Sequence, residues 1–202
     1  MFPFFKKNIP ITSKRDILII LANGDQKLSL IYQLIQPILK QLEIKENFNY
    51  KIINLYSYNL PIYKINEKLP KSFLSLTKTL NEYSNYIFIF PVWYSNVPGV
   101  LKNFIDWSGY WGTIKNKQGK IVGILQNKKA AIIASCWDTR KNYLKKLSNS
   151  IEYQIVDSVF SFFKIKHIKT LIVPDAHNHQ TENLSKISNN IQRLITMFNK
   201  KI

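Results

Sequence analysis

One cysteine, Cys136, stands among 202 residues. The chain therefore cannot close an internal disulfide or build a multi-cysteine metal site, and a lone thiol suits a reducing compartment, read here as the cytoplasm. Acidic residues are also scarce, 12 against 29 Lys and Arg, for a formal charge of +17. Such a balance directs attention to nucleic acid, anionic membranes or negatively charged ligands. The lysines, however, fall singly or in pairs (Lys6-Lys7, Lys128-Lys129, Lys145-Lys146, Lys200-Lys201) along the whole chain. Arginine, whose planar fork serves specific base and phosphate readout, is rare, so no specific nucleic-acid partner is expected. No apolar run is long enough to span a bilayer. Met1 to Lys7 places its apolar residues ahead of its charges, the reverse of a secretory signal, and residues 1–14 read as a short surface arm. What remains, 15–202, has the length of one domain with a sizeable core, and the whole chain is 46% apolar.

The organising stretch is 86–107. Tyr86-Ile87-Phe88-Ile89-Phe90 shows no polar alternation, the pattern of a strand covered on both faces in a parallel sheet. Pro91 is read as its end, and Pro91-Val92-Trp93-Tyr94-Ser95-Asn96 as a loop leading to a helix from Val97-Pro98-Gly99. Similar apolar runs predict strands at 16–22, 50–55, 129–135 and 168–173, alternating with helical patterns at 28–44, 69–83, 144–163 and 181–199. Pro37 predicts a kink or a split in the first of these helices. Residues 108–128, with Gly109, Gly112, Gly119 and Gly123, are too long for a plain connection and predict a protruding hairpin or flap.

Five strands alternating with five helices predict one doubly wound α/β domain: a three-layer sandwich with a five-stranded parallel sheet in flavodoxin-like order 2-1-3-4-5 and helices on both faces. In that order the carboxyl ends of strands one, three and four meet at one edge, where open sheets bind ligands. The loops brought together are 23–29, 91–96 and 135–140.

The run from Pro91 to Trp107 resembles the flavin-binding signature of the NADPH-dependent FMN reductases, with its proline, aromatic loop and Pro-Gly-x-Leu-Lys-Asn-x-Ile-Asp-Trp helix. Gly119 to Ala130 resembles the flap and strand entry of the azoreductase and NAD(P)H:quinone reductase branch of the same superfamily. The resemblance implies a cytoplasmic flavoprotein oxidoreductase that binds FMN (FAD being the alternative), takes a hydride from NADH or NADPH and passes it in ping-pong order to a small acceptor: a quinone, an azo compound or free flavin. It also implies a homodimer with the active site at the subunit interface. The flavin itself carries the chemistry, so no side chain is assigned a catalytic role. Trp93 and Tyr94 would form the platform for the ring, with Pro91, Val92, Ser95 and Asn96 at its edge. The phosphate would sit after strand one, on Asn23, Lys27 and Ser29, at a helix amino terminus. Ser135, Cys136, Trp137 and Asp138 would complete the cofactor site, and Tyr110, Trp111 and Arg140 the substrate pocket, with the first two on the flap.

The first loop departs from the reductase pattern, which opens with Gly-Ser and an arginine; here Asp25 stands in the expected phosphate seat. The third loop lacks the glycines usual after strand four. Cys136 reads as a buried small residue ahead of a nucleophile, since no His neighbours it in sequence. His177 and His179 lack the companions of a metal site, and Asp106 reads as structural. These departures support one rival reading, a flavodoxin-like module with weakened or lost flavin binding and a non-enzymatic binding role; a second rival, an electron-carrier flavodoxin, fits poorly with the strongly basic charge and the Pro-Gly-Val-Leu-Lys-Asn helix. A receiver domain is excluded by the missing acidic cluster and phosphorylatable aspartate.

Overall fold

The computed structural model describes residues 16–24, 30–46, 49–137, 142, 149–174 and 181–199. A five-stranded parallel sheet forms its centre: β1 (Ile17–Leu21), β2 (Tyr50–Asn54), β3 (Asn85–Val92), β6 (Lys129–Cys136) and β7 (Lys166–Val173), in the order β2-β1-β3-β6-β7. With the two hairpin strands set aside this is 2-1-3-4-5, the expected fold. All five β1 side chains are at most 1% exposed, and burying each contributes on the order of 1.5–3 kcal/mol. Alternation decides which face each one serves. Ile17, Ile19 and Leu21 meet Ile31, Ile35 and Leu39 of α1 (Leu30–Glu46) and Ile191, Leu194 and Ile195 of α5 (Thr181–Thr196). Leu18 and Ile20 face the other core, closed by α2 (Lys71–Glu82), α3 (Gly99–Gly112) and α4 (Glu152–Phe160 with Ser161–Phe163). Helix α4 is unusual: residues Glu152–Phe160 form a π-helix, which an α-turn at Ser161–Phe163 completes.

Three expectations are corrected. Helix α1 runs unbroken past Pro37. Its apolar stripe, Ile31 and Ile35 before the proline and Ile38 and Leu39 after it, is buried on both sides, while Pro37 itself faces solvent. Burial of that stripe outweighs the hydrogen bond lost at the ring. Strand β3 does not end at Pro91 but continues to Val92. Ala22 N donates to Ile89 O, so Ile89, and two residues on Pro91, turn their backbone groups toward β1, which has already ended at Leu21. A missing N–H costs nothing there. Finally, the hairpin in 108–128 is real but short, β4 (Thr113–Lys115) paired with β5 (Ile121–Gly123). Helix α3 takes everything before it, including Tyr110 and Trp111. Gly123 lets the hairpin lie against α4, because a Cβ there would stand 2.1 Å from Phe162 O.

Candidate functional site

Parallel register builds a step at the carboxyl edge. Leu21, the last residue of β1, is level with Ile89, whereas β3 and β6 run on together to the pair Val92 and Cys136. Three extra residues at about 3.3 Å each leave β3 and β6 overhanging the end of β1 by about 10 Å. The Pro91 carbonyl, on the β1 side of β3, faces into this step. Its floor is Ala22 and Asn23, and Asn23 O is fixed by a hydrogen bond from Asn54 Nδ2 at 3.0 Å. Asn54 Oδ1 also accepts from Tyr56 N at 3.2 Å, capping the short 3-10 turn Leu55–Tyr58 and bringing the Tyr56 ring against Gly24.

The overhanging lip is the 93–96 turn. Trp93 and Asn96 exchange backbone hydrogen bonds of 3.0 and 2.9 Å around Tyr94 (φ 49°) and Ser95 (φ 65°). Two consecutive positive φ values make a type I′ turn, ordinarily the place of Asn and Gly. For residues bearing a Cβ that conformation costs about 1–2 kcal/mol each, and strain of this kind clusters at ligand sites. The result is an aromatic rim: Trp93 is 50% exposed, Tyr94 102% and Trp137, on the neighbouring β6 exit, 73%. Asn96 Oδ1 accepts from Val97 N at 2.8 Å. Among the described residues this leaves the Asn96 amide donor, Nδ2, without a hydrogen-bond acceptor.

The structure brings Asn23, Pro91, Val92, Trp93, Tyr94, Ser95, Asn96, Ser135, Cys136 and Trp137 to this edge, as the strand order requires. Within that set Val92 and Cys136 turn their side chains into the core, so their contribution is backbone. Lys27, Ser29, Asp138 and Arg140 lie outside the described residues, as do Asp25, His177 and His179. Tyr110 and Trp111 are not brought there. Helix α3 starts at the carboxyl edge and runs back, so its last turn reaches the opposite end of the sheet. Trp111 Nε1 donates to Asn81 Oδ1 at 2.8 Å and its ring meets Tyr86, near the start of β3; Tyr110 Oη donates to Glu67 O at 3.3 Å.

Two residues of the signature helix prove to be clamps. Asn103 Oδ1 accepts from Tyr63 N at 2.8 Å while its Nδ2 donates to Pro61 O at 3.0 Å and Leu60 O at 3.3 Å. One turn on, Trp107 Nε1 donates to Pro61 O at 2.8 Å and its indole stands edge-on to Tyr63. Both side chains hold the long connection after β2, which was invisible in a linear reading because the partners are 40 to 46 residues away. Asp106 pairs with Lys102 across one helical turn on the surface, a contact of a few tenths of a kcal/mol. A cavity of about 20 Å³ lies apart from the edge, between α3 and α4 over Phe88 and Phe90, lined by apolar and aromatic side chains and by Ser108, whose hydroxyl is already bonded to Phe104 O.

Fold and strand order together define a flavodoxin-like protein, with the step at the switch point of the sheet, the edge where open sheets bind ligands. Residues 15–196 match the model of the Flavodoxin_2 family, described as a flavodoxin-like fold, and the chain belongs to that family. An FMN-dependent NADH:quinone oxidoreductase of Clostridium beijerinckii is 32% identical over 107 residues, 52% of each chain. The matched stretch thus spans about half the length of that relative. Among solved structures, an NAD(P)H:quinone oxidoreductase from Methanothermobacter marburgensis superposes with a TM-score of 0.76 at 14% identity, covering 93% of this chain and 98% of that one. An FMN-dependent NADH-azoreductase from Bacillus anthracis in complex with FMN gives a TM-score of 0.63 at 17% identity, covering 92% and 100%.

Proposed function

We propose that the chain is an NAD(P)H-dependent FMN oxidoreductase that reduces small acceptors of the quinone, azo or free-flavin type. The step beneath the strained aromatic turn is the observation that supports it most. A flat tricyclic ring needs a slot with aromatic surface, backbone partners for its polar edge and one face open, and the step offers all three through Trp93, the Pro91 carbonyl and the Asn96 donor. The oxidoreductase names of the relatives support the same reading. Bound FMN supplies the two-electron chemistry, accepting a hydride equivalent from nicotinamide and delivering it to the acceptor.

The chain's own residues bind and orient. Pro91 and Asn96 would hold the polar edge of the ring, and Asn23 and the start of α1 lie on the side where the ribityl phosphate would run. Tyr94 and Trp137 flank the approach and present exposed aromatic surface there, which favours an apolar, planar acceptor. Because the two substrates would use the same open face, they react in turn, giving ping-pong order. The exposed aromatic rim is what a second copy of the chain would cover, so we place the active form as a homodimer and, given its single buried cysteine, in the cytoplasm. Steady-state NADH and NADPH oxidation by the FMN-loaded protein, with a benzoquinone and an azo dye as acceptors, tests this. Parallel double-reciprocal lines are expected; an FMN-loaded protein that oxidises neither nucleotide would overturn the proposal.

A further inference from the structure

Two unusual backbones meet at one contact. The 93–96 turn holds Tyr94 and Ser95 at positive φ, and α4 is π-helical for nine residues, Glu152–Phe160. A π-helix spreads each turn over more residues than an α-helix, is normally only a single turn long and marks functional segments. Its five-residue spacing shows in the Ser158 Oγ bond to Tyr153 O at 2.9 Å and in the burial of both Ile155 and Phe160. In this register Gln154 is half-buried, and its Nε2 donates to Ser95 O at 3.3 Å across 59 residues of sequence.

We propose that Gln154 is a positioning residue that holds the Tyr94–Ser95 turn in the shape that receives the flavin. The peptide plane between Ser95 and Asn96 is fixed at both ends: its oxygen by Gln154 and its N–H by the Trp93 carbonyl. Locking that plane sets the direction of the Asn96 side chain and keeps two residues with Cβ atoms in a conformation that neither would choose alone. The consequence for flavin rests on the reading of the site given above, whereas the effect on the turn does not.

The test uses the full chain without cofactor. Gln154→Leu keeps the volume and removes the donor, and Gln154→Glu is a second variant, since a carboxylate cannot donate. Amide hydrogen exchange at Asn96 is expected to quicken about two- to tenfold in both, the size of one net hydrogen bond, with thermal unfolding of the whole chain little changed. In a Ser95→Gly background, where glycine accepts positive φ unaided, either change should quicken exchange less than twofold. FMN affinity should fall by the same two- to tenfold factor in the single variants. Exchange at Asn96 that is unchanged in both variants, or equally quickened in the glycine background, overturns the proposal. Quickened exchange in a chain that binds no FMN at all would leave the turn assignment standing and remove the flavin reading instead.

Discussion

Lys128 gives the sharpest prediction about the stability of the fold. Its side chain is fully buried and, among the described residues, pairs with no carboxylate: Nζ donates to Leu80 O at 3.4 Å and to Tyr83 O at the end of α2, and stands 5.6 Å from the centre of the Tyr86 ring. Burial pulls its ammonium from 10.5 down to about 8. Between those two values the unfolded chain holds a proton that the folded chain has released, so the folded state gains stability as pH rises from about 8 toward 10.5. The full interval at 1.36 kcal/mol per pH unit gives a ceiling of about 3 kcal/mol. The carbonyls and ring favour the charged form and bring the expected gain to about 1–2 kcal/mol. Above pH 10 burial keeps the Tyr86 phenol protonated in the folded state while the unfolded state loses that proton, and the gain reverses. Urea unfolding of the parent and of Lys128→Met at half-unit steps from pH 7.5 to 9.5 reads this directly. The parent should become more stable across the window and the Met variant should stay level. A parent that is flat or loses stability, or a variant with the same slope, would refute the reasoning.

Other substitutions test the remaining contacts by chemical denaturation. Asn103→Ala removes three hydrogen bonds to the 60–63 connection and should cost about 2–3 kcal/mol, while Trp107→Phe, which keeps the ring against Tyr63, should cost about 1 kcal/mol. Ser95→Gly should leave the fold more stable by about 1 kcal/mol, because the left-handed residue sheds its Cβ penalty; a loss of stability would contradict the strain assigned to the turn. Gly123→Ala forces a Cβ to within 2.1 Å of Phe162 O, and unfolding should move by at least 1–3 kcal/mol.

The sheet was legible in the sequence because its strands are covered on both faces. Runs such as Ile17–Leu21 and Tyr86–Phe90 need no partner to be recognised, and their order placed the three loops at one edge before any contact was known. Backbone details that depend on a neighbour were not legible. Pro91 could stay in β3 only because β1 had ended beside it, and Pro37 in α1 only because both halves of the helix are buried. Tyr110 and Trp111 were misplaced because glycines at 109 and 112 suggested a flap, yet apolar packing carries the helix to Gly112. Asn54, Asn103 and Gln154 act across 31 to 59 residues, so no local pattern could have marked them. The aromatic lip itself, Trp93 and Tyr94 beside Asn96, was readable from type and position, whereas its strained φ values belong to the folded chain.

The central claim is that the step under the 93–96 turn holds FMN and lets nicotinamide reach it. Titrating the purified protein anaerobically, first with FMN and then with NADH or NADPH, measures both halves in one cuvette. The account predicts saturable binding of FMN, seen as a perturbed visible absorption band, followed by bleaching of that band at one equivalent of nucleotide. A protein whose spectrum with FMN is the sum of its parts, and whose added flavin is not reduced, would contradict it.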